Sequence, residues 1–386
     1  MTPVLALNAH NFAELIVDDR PLIDLRAPIE YATGTLPAAV SLPLLNDDER
    51  QQVGLCYRQL GPQAAIELGH RLVGGSTRDA RVAAWSAFAK AHPNALLYCW
   101  RGGLRSQTVQ NWLAANGVTL PRIAGGYKAL RQCAIDALEI AAAACANPFV
   151  LGGRTGSGKT VLLNEFAAGI DLEALARHRG SSFGQRPAGQ PNQVDFEHAL
   201  LRALLRHRQR AQRAQPGILF EDESRTIGRV AIPLTLHERL KRSPLVVLEV
   251  TLAERAAHIA QEYVHEALRE LRALQELQEL QETSCTSEPG SFAALDALQA
   301  QLTAALTRIE RRLGVARQRD IAALMQAAFD GHRNGDTDGH THWVQALLTH
   351  YYDPMYDYQL SRNATRIAFR GDRAAVRAWL TAQLNT

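Results

Sequence analysis

The fold is decided by Cys99-Trp100-Arg101-Gly102-Gly103-Leu104-Arg105-Ser106, which follows an apolar, strand-like run and opens a segment of helical periodicity. A second stretch, Gly153-Arg154-Thr155-Gly156-Ser157-Gly158-Lys159-Thr160, has the same setting. A loop between a strand and a helix points backbone N–H groups and the positive end of the helix dipole at an anion. The two stretches therefore predict two anion-binding loops, of which only the first carries a nucleophile. A thiolate loop paired with a diphosphate loop favours two-stage group transfer.

The composition is that of an ordinary globular protein. The 386 residues suffice for two or three domains, and 46% of them are apolar and 21% charged. The net charge of +3 does not indicate a nucleic-acid binder, so such a role would have to come from local patches. No apolar run reaches membrane-spanning length and the N-terminus lacks a secretory pattern. We therefore expect a cytoplasmic protein with no membrane partner, and the oligomeric state is left open.

The cysteines indicate neither disulfides nor a zinc site. The chain has five of them, an odd number, and none is spaced as Cys-x-x-Cys. Cys56, Cys133, Cys145 and Cys285 are therefore expected to be structural or incidental. Cys99 is set apart by its loop.

The alternation of strand-like and helical segments indicates an α/β protein with three regions. Residues 1–140 predict a domain built on a mostly parallel sheet. Residues 141–250 predict the core of a second α/β domain, which contains the glycine-lysine loop. Residues 251–386 predict a helical C-terminal region and tail.

Several segments within these regions have a clear local pattern. An alanine-rich helix at about 128–146 leads out of the first domain. The second domain should have strands at 148–152, 217–221 and 244–250. In the C-terminal region we expect a loop at 283–291 and an irregular, aromatic tail that includes residues 351–356.

The first loop has the arrangement Cys-x5-Arg. Wrapped around one anion, its backbone would present several N–H donors, and Arg105 could hold two oxygens. The same donors would stabilise the thiolate of Cys99. The other residues expected around the anion are Arg101, Gly102, Gly103 and Ser106. The alternative is a buried structural cysteine at a strand end.

The second loop is a strong phosphate-binding signal, because Gly-x-x-x-x-Gly-Lys-Thr lies here between a strand and a helix. Lys159 would reach the terminal phosphates, and Thr160 would ligate a Mg²⁺ ion. The candidate diphosphate-binding residues are Gly153, Gly156, Ser157, Gly158, Lys159 and Thr160. Asp222 and Glu223 could hold the metal through water, or could be a solvated cluster at a strand end. The pattern indicates no organic cofactor and does not require nucleotide hydrolysis.

A candidate RNA-binding surface comes from arginines and tyrosines. Arginines recur at i, i+4, i+8 and i+11 on one helix face, at positions Arg202, Arg206, Arg210 and Arg213. The tail tyrosines Tyr351, Tyr352 and Tyr356 could stack on exposed bases. A solvated helix face and ordinary core packing are the alternatives.

The first region resembles rhodanese domains. The resemblance rests on Ile23-Asp24-Leu25-Arg26-Ala27-Pro28-Ile29-Glu30-Tyr31, on Tyr98 to Ser106 and on Gly125-Gly126-Tyr127-Lys128-Ala129-Leu130. It implies a rhodanese-like fold and a cysteine that carries sulfur or selenium. The loop is one residue longer than the usual sulfurtransferase loop and matches the phosphatase branch, so it could hold a tetrahedral anion such as selenophosphate.

The whole chain resembles the bacterial tRNA 2-selenouridine synthases, which combine such a domain with a P-loop NTPase-like domain. Besides the loops, the resemblance rests on Val53 to Gln59, on His178-Arg179-Gly180-Ser181-Ser182-Phe183-Gly184, on Glu221 to Gly228 and on Tyr351 to Tyr356. It implies geranylation of wobble 2-thiouridine by geranyl diphosphate, followed by replacement of the geranylthio group with selenium from selenophosphate. The implied partners are the anticodon region of tRNA and selenophosphate or a selenium donor protein. Whether Cys99 carries selenium or only helps bind selenophosphate is left open.

Two other functions fit parts of the sequence. One is an arsenate-reductase-like or protein-phosphatase-like enzyme fused to a kinase-like domain, which would release phosphate without tRNA. The other is a nucleotide-switched binding module in which Cys99 is idle. A phosphatase fusion would not need the Ser181 to Gly184 and Tyr351 to Tyr356 segments, which favour the tRNA enzyme, and co-purification with RNA would separate both alternatives from it.

Overall fold

The computed structural model describes residues 3–145, 147–211, 217–281 and 292–384. The chain divides into two compact units. Unit 1 comprises Met1–Ala144 and Asn192–Arg208, and unit 2 comprises Cys145–Pro191 and Gln209–Thr386.

The strands are short, and in chain order they are β1 (Val4–Leu5), β2 (Leu22–Asp24), β3 (Ala39–Ser41), β4 (Leu96–Tyr98), β5 (Arg122–Ile123), β6 (Pro148–Gly153), β7 (Gly169–Ile170), β8 (Ile218–Glu221), β9 (Thr226–Ile227), β10 (Val230–Ala231), β11 (Leu245–Leu248) and β12 (Ile367–Gly371).

The helices of the first half are α1 (Ala9–Val17), α2 (Pro28–Tyr31), α3 (Asp47–Leu72), α4 (Gly75–Ala91), α5 (Leu104–Ala115), α6 (Gly126–Ala143), α7 (Lys159–Leu163), α8 (Leu172–Ala176) and α9 (Gln193–Ala211). Those of the second half are α10 (Leu234–Arg242), α11 (Leu252–Ala260), α12 (Ala267–Gln281), α13 (Ala293–Arg308), α14 (Glu310–Leu313), α15 (Val315–Arg333), α16 (His340–Leu347), α17 (Asp353–Arg362) and α18 (Arg373–Leu384). Short π-helical turns at Gln261–Glu266 and Leu348–Tyr352 join neighbouring helices.

Unit 1 is built on a parallel sheet, as the sequence predicts. Its strand order is β1-β5-β4-β2-β3, and the paired strands run parallel. The inner strands are buried on both faces, which explains their uninterrupted apolar sequences. Their core includes Ile23, Leu97, Trp85 and Val109, so helices α4 and α5 cover the sheet.

A buried ion pair lies at the carboxyl end of β2. Nη2 of Arg26 is 2.6 Å from Oδ2 of Asp24, and neither side chain is exposed to solvent. The same Nη2 donates to the carbonyl of Gly34 at 2.8 Å, and the hydroxyl of Tyr98 donates to Asp24 at 2.8 Å. The guanidinium lies 3.6 Å from the ring centroid of Tyr127. The pair therefore joins segments that flank the cysteine loop.

Helix α9 packs with unit 1 over residues 192–208, although these residues fall within the 141–250 segment of the sequence. Asp195 accepts a hydrogen bond from the backbone N–H of Thr35 at 2.7 Å. Nδ1 of His198 is 2.7 Å from the carbonyl oxygen of Thr35. The amphipathic pattern of α9 thus serves to cover the first unit, and the predicted domain boundaries at 140 and 250 stay predictions.

Unit 2 contains a second parallel sheet with the order β12-β11-β6-β8-β7. Strands β6, β8 and β11 lie where the sequence predicts strands. Strand β12 and helix α18 come from the C-terminal segment for which only helices were predicted, and Val376 and Leu380 of α18 pack with Leu151 of β6. The last part of the chain is therefore structurally part of the sheet that carries the glycine-lysine loop.

The remaining helices of unit 2 share a separate core that includes Ile259, Leu298, Phe329 and Trp343. The predicted irregular structure at 351–356 was wrong, because this segment continues from a π-helical turn into α17. Pro354 lies in the first turn of that helix, where proline is tolerated because its missing N–H would have no helical partner. The loop predicted at 283–291 lies outside the described residues.

Within the described ranges, no helix combines the length and the apolar character needed to span a membrane.

Candidate functional site

The cysteine loop begins where β4 ends, and α5 begins four residues after Trp100. The backbone N–H of Tyr127 donates to the carbonyl oxygen of Cys99 at 2.8 Å, and that of Lys128 donates to Trp100 at 3.0 Å. A Cβ atom on Gly126 would lie 2.2 Å from the same Cys99 oxygen, so this close approach requires glycine. The first turn of α6 therefore fixes the first half of the loop.

The thiol of Cys99 lies at the inner side of this loop, and only 3% of the residue is exposed. Its Sγ is 3.4 Å from Oγ of Ser106, whose hydroxyl also lies 2.9 Å from the carbonyl oxygen of Gly103. Gly102 has a φ of 64°, which gives the backbone its curl, and the side chain of Arg101 is exposed. Of the predicted loop residues, Ser106 is therefore the one whose side chain contacts the buried thiol, whereas that of Arg101 is exposed.

The guanidinium of Arg105 is bonded to a carboxylate of the protein. Its Nη1 lies 2.7 Å from Oε2 of Glu30, and its Nη2 lies 3.2 Å from Oε1. Burial opposes ionisation of Glu30, but the bonds to Arg105 outweigh it and lower the pKa of Glu30. In this conformation Arg105 holds two oxygens of a protein carboxylate, and its role toward an external anion stays a prediction. Only the first rhodanese-like segment, which contains Glu30, could have pointed to this residue.

The glycine-lysine loop connects β6 to α7. Gly156 and Gly158 have φ values of 82° and 71°, and a Cβ on Gly156 would lie 2.7 Å from the carbonyl oxygen of Arg255. A Cβ on Gly153 would lie 2.5 Å from Oγ of Ser157. That hydroxyl is buried and has no hydrogen-bond partner among the described residues. An unused buried donor in this loop suits an anion such as a phosphate.

Lys159 and Thr160 face buried glutamates. The hydroxyl of Thr160 donates a hydrogen bond to Oε1 of Glu221 at 2.7 Å. Nζ of Lys159 lies 3.9 Å from Oε1 of Glu173. The backbone N–H of Glu173 donates to Glu221 at 3.1 Å. Burial alone would lower the pKa of Lys159, but the carboxylates outweigh it and raise that pKa. The lysine is therefore held charged by protein carboxylates.

The carboxylates themselves are crowded and buried. Burial, with the nearby charge of Glu173, raises the pKa of Glu221 to about 8. The pKa of Glu223 is also raised, chiefly by burial. Asp222 Oδ1 lies 3.6 Å from Nζ of Lys241. The structure places Glu221 and Glu173 at Thr160, and the metal-assisting roles predicted for Asp222 and Glu223 stay predictions.

The chemistry of these groups fits Mg²⁺. The hydroxyl of Thr160 and the carboxylate of Glu221 are oxygen donors, which Mg²⁺ prefers. Over the described part of the chain, no group of three or more His, Cys, Asp or Glu side chains is arranged to hold a metal ion. Mg²⁺ usually takes only one or two protein ligands and completes its shell with waters and phosphate oxygens. Thr160 and Glu221 therefore match a metal that arrives with a diphosphate.

A cavity of about 60 Å³ opens over the glycine-lysine loop. Its other walls include Arg179, Ser181, His258 and Tyr263. Arg179 is only 6% exposed, its Nη2 lies 3.4 Å from Glu270, and its guanidinium lies 5.5 Å from the ring centroid of Tyr263. The segment from His178 to Gly184 thus brings a second cation to the phosphate loop, a role that its sequence alone did not indicate.

The predicted RNA-binding stripe is not a free row of cations. Arg202 and Arg206 both pair with Asp19 of unit 1, at 3.0 and 2.5 Å. Arg210 is exposed, whereas Arg213 lies outside the described residues. Asp19 thus neutralises part of the charge of the first two arginines, and phosphate binding by the four positions stays a prediction.

The tail tyrosines are also less available than predicted. Tyr351 and Tyr352 belong to the helical core of unit 2, with exposed fractions of 8% and 4%, so they cannot stack on bases in this conformation. Tyr356 is half-buried, and burial together with Asp222 raises its pKa to about 12.

Comparison with known proteins places the chain in a family. A family model described as the tRNA 2-selenouridine synthase AAA domain matches residues 146–386. The tRNA 2-selenouridine synthase of Cupriavidus necator strain H16 is 48% identical over 96% of this chain and 97% of its own length. Those of Ectopseudomonas mendocina and Aeromonas salmonicida are 46% and 48% identical, over 97% and 95% of this chain and 96% and 94% of their own lengths.

The chain belongs to the tRNA 2-selenouridine synthase family. It is therefore an enzyme, a transferase of tRNA modification, and the family resemblance noted in the sequence is confirmed. The matched family model begins at residue 146, so the rhodanese-like character of unit 1 stays a prediction.

The buried carboxylates predict how stability depends on pH. The pKa of Glu221 rises from an ordinary 4.5 to about 8 in the folded chain, so the folded state holds a proton that the unfolded state releases between these values. Without Mg²⁺, the free energy of unfolding should therefore fall by about 1 kcal/mol or more from pH 5 to pH 8. Glu221→Gln should flatten this dependence, as measured by urea unfolding. The exposed Glu238→Gln serves as the control, and an equal slope in all three proteins would contradict the assignment.

Proposed function

We propose that this enzyme converts wobble 2-thiouridine of tRNA to 2-selenouridine through an S-geranyl intermediate, using geranyl diphosphate and then selenophosphate. The observation that carries the proposal is the presence of two strand–loop–helix anion cradles, one with a buried thiol and one with Lys159, Thr160 and an unpartnered Ser157 hydroxyl. Family membership supplies the selenouridine and tRNA parts of the proposal.

Geranyl transfer is assigned to the glycine-lysine loop of unit 2. The sulfur of 2-thiouridine attacks C1 of geranyl diphosphate, so that a C–S bond forms and the C–O bond breaks. Diphosphate leaves with the electron pair of that bond, and the N3 proton of the base passes to solvent. Lys159, the loop N–H groups and the Ser157 hydroxyl would stabilise the charge that develops on the leaving group.

Charge balance favours a cation in this step. The leaving diphosphate is anionic, and Lys159 already faces Glu173 and Glu221. Bound Mg²⁺, held by Thr160 and Glu221, would supply positive charge to the diphosphate oxygens. The guanidinium of Arg179, which lines the same cavity, is the next cation available to them.

Selenation is assigned to the cysteine loop of unit 1. The selenium of hydrogen selenophosphate attacks C2 of the S-geranyl base, the C2–S bond breaks, and the selenol proton ends on the departing geranylthiol. Water then attacks phosphorus and breaks the Se–P bond. Hydrogen phosphate leaves, and the base regains its N3 proton as 2-selenouridine. This route is redox-neutral and requires no selenium bound covalently to Cys99.

In this route the cysteine loop binds the tetrahedral anion through its backbone N–H groups. Cys99 is the titratable group on the inner side of the loop and would carry the proton between selenium and the leaving sulfur. The bond from Arg105 to Glu30 would orient the start of α5, and rearrangement of that pair would free two donors for the anion.

Mass spectrometry of the wobble nucleoside tests the proposal directly. The purified chain is incubated with 2-thiouridine tRNA and geranyl diphosphate, with and without selenophosphate. We expect a geranylated nucleoside that becomes 2-selenouridine when selenophosphate is added. An unchanged nucleoside from folded protein, with phosphate released from a phosphorylated substrate in the absence of tRNA, would instead indicate a phosphatase.

Replacement of the thiol should separate the two steps. Cys99→Ala should lower selenation by about 100-fold or more, because it removes the proton carrier, and should leave geranylation largely intact. The measurement is the yield of each nucleoside, and Cys133→Ala, in α6 outside the loop, is the matched control. Loss of both activities in folded Cys99→Ala protein would contradict separate sites.

Replacement of Lys159 should impair the other step, geranyl transfer, and spare selenation. Lys159→Ala should lower geranyl transfer by about 100-fold or more, because the leaving diphosphate loses a positive charge that the loop supplies to it. Selenation of tRNA that already carries the S-geranyl group should persist. Lys241→Ala is the control, since that lysine is partly exposed, pairs with Asp222 and does not line the cavity over the loop. Unchanged geranylation rates in Lys159→Ala would contradict the assignment.

A further inference from the structure

Unit 1 contains an apolar cavity that neither anion loop requires. It has a volume of about 210 Å³ and lies between α3 and α5. Helix α3 is broken at Gly61, where φ is 84°, and the following Pro62 lines the cavity. The walls are mainly aliphatic and aromatic, and they include Leu44, Leu45, Ala65, Ile66, Val73 and Trp112.

The mouth of the cavity is also apolar. Tyr57 and Leu104 line it and are 59% and 54% exposed. Leu60, one turn along α3 from Tyr57, is 72% exposed. Large apolar side chains gathered around an opening usually mark a binding site.

The cavity adjoins the cysteine loop. Leu104 and Arg105, the first two residues of α5, line the cavity and also complete the loop that begins at Cys99. Ser106, the next residue, lies 3.4 Å from the thiol. A substrate with an apolar group in the cavity would therefore have its reacting atoms close to the cysteine loop.

We infer that this cavity binds the geranyl chain of the S-geranyl nucleoside during selenation. The inference rests on the proposed function, in which the leaving group is a ten-carbon apolar thiol. The cavity is smaller than the ~300–1,000 Å³ typical of pockets for drug-sized ligands, which suits a single flexible chain. Its apolar walls would hold the chain while the sulfur points to the cysteine loop.

Chain length tests this assignment. The 2-thiouridine of tRNA is alkylated chemically with geranyl bromide or with the five-carbon dimethylallyl bromide, so that geranyl transfer is bypassed. Selenation of both tRNAs by selenophosphate is then measured as kcat/KM from the yield of 2-selenouridine. Wild-type protein should favour the geranyl substrate by about 100-fold, since each buried methylene contributes to discrimination.

Filling the cavity should remove this preference. Ala65→Phe places a ring in the space for the chain, so kcat/KM should fall for the geranyl substrate and change little for the dimethylallyl one. Tyr57→Asp, at an exposed position of the mouth in α3 and outside the cysteine loop, should lower the ratio in the same way even if Ala65→Phe folds poorly. Ala84→Phe, on an exposed position of α4, is the matched control and should keep the wild-type ratio.

The outcomes separate this inference from the proposed function. Selenation of neither tRNA by folded wild-type protein would overturn the proposed function itself. Equal rates on both tRNAs, or a geranyl preference that survives in both Ala65→Phe and Tyr57→Asp, would overturn the cavity assignment and leave the proposed function standing. A preference that only the cavity variants lose supports the assignment.

Discussion

The buried ion pair of Arg26 with Asp24 is the interaction on which the cysteine loop depends. It joins the end of β2 to Tyr98, the residue before Cys99, and to the ring of Tyr127. Removing one partner from such a pair costs about 3–5 kcal/mol, because the other charge stays buried without compensation. These segments must therefore assemble together. The backbone of Tyr127, held in this way, then fixes the carbonyl of Cys99 and with it the curl of the loop.

Unit 2 is governed by a related constraint, the excess of buried carboxylates around one lysine. Glu173, Glu221 and Glu223 surround Lys159, so full ionisation would leave the site negative before any anion arrives. The raised pKa values of Glu221 and Glu223 show that protons relieve part of this excess. An anionic diphosphate adds to it. The loop can therefore bind such a ligand tightly only together with protons or a divalent cation, which is why the Gly-Lys-Thr motif alone does not define the site.

Local sequence predicted the segments that are decided locally. Apolar runs predicted the strands β6, β8 and β11 correctly, and the glycine-rich stretches that follow an apolar run predicted both loops. The sequence could not show which carboxylate each polar side chain contacts, because the partners are distant in sequence and only the sheets bring them together. Examples are the pairs Arg105–Glu30 and Thr160–Glu221. The sequence likewise could not show which core an amphipathic helix covers, as α9 illustrates. Strand β12 was missed because its side chains remain partly exposed and lack a buried apolar run.

The apolar cavity beside the cysteine loop bears on why the sulfur would be alkylated with so large a group. The sulfur of 2-thiouridine is a poor leaving group, and alkylation by any group makes it a good one. For this purpose alone a methyl group would be sufficient. A ten-carbon chain adds apolar surface far from the reacting atoms. Binding energy gained there can be used to position C2 against the selenium nucleophile. An enzyme in which an apolar cavity adjoins the anion-binding loop can bind the geranyl chain in the cavity while selenophosphate binds in the loop. With the anion-binding loop alone, a longer chain would add no binding energy.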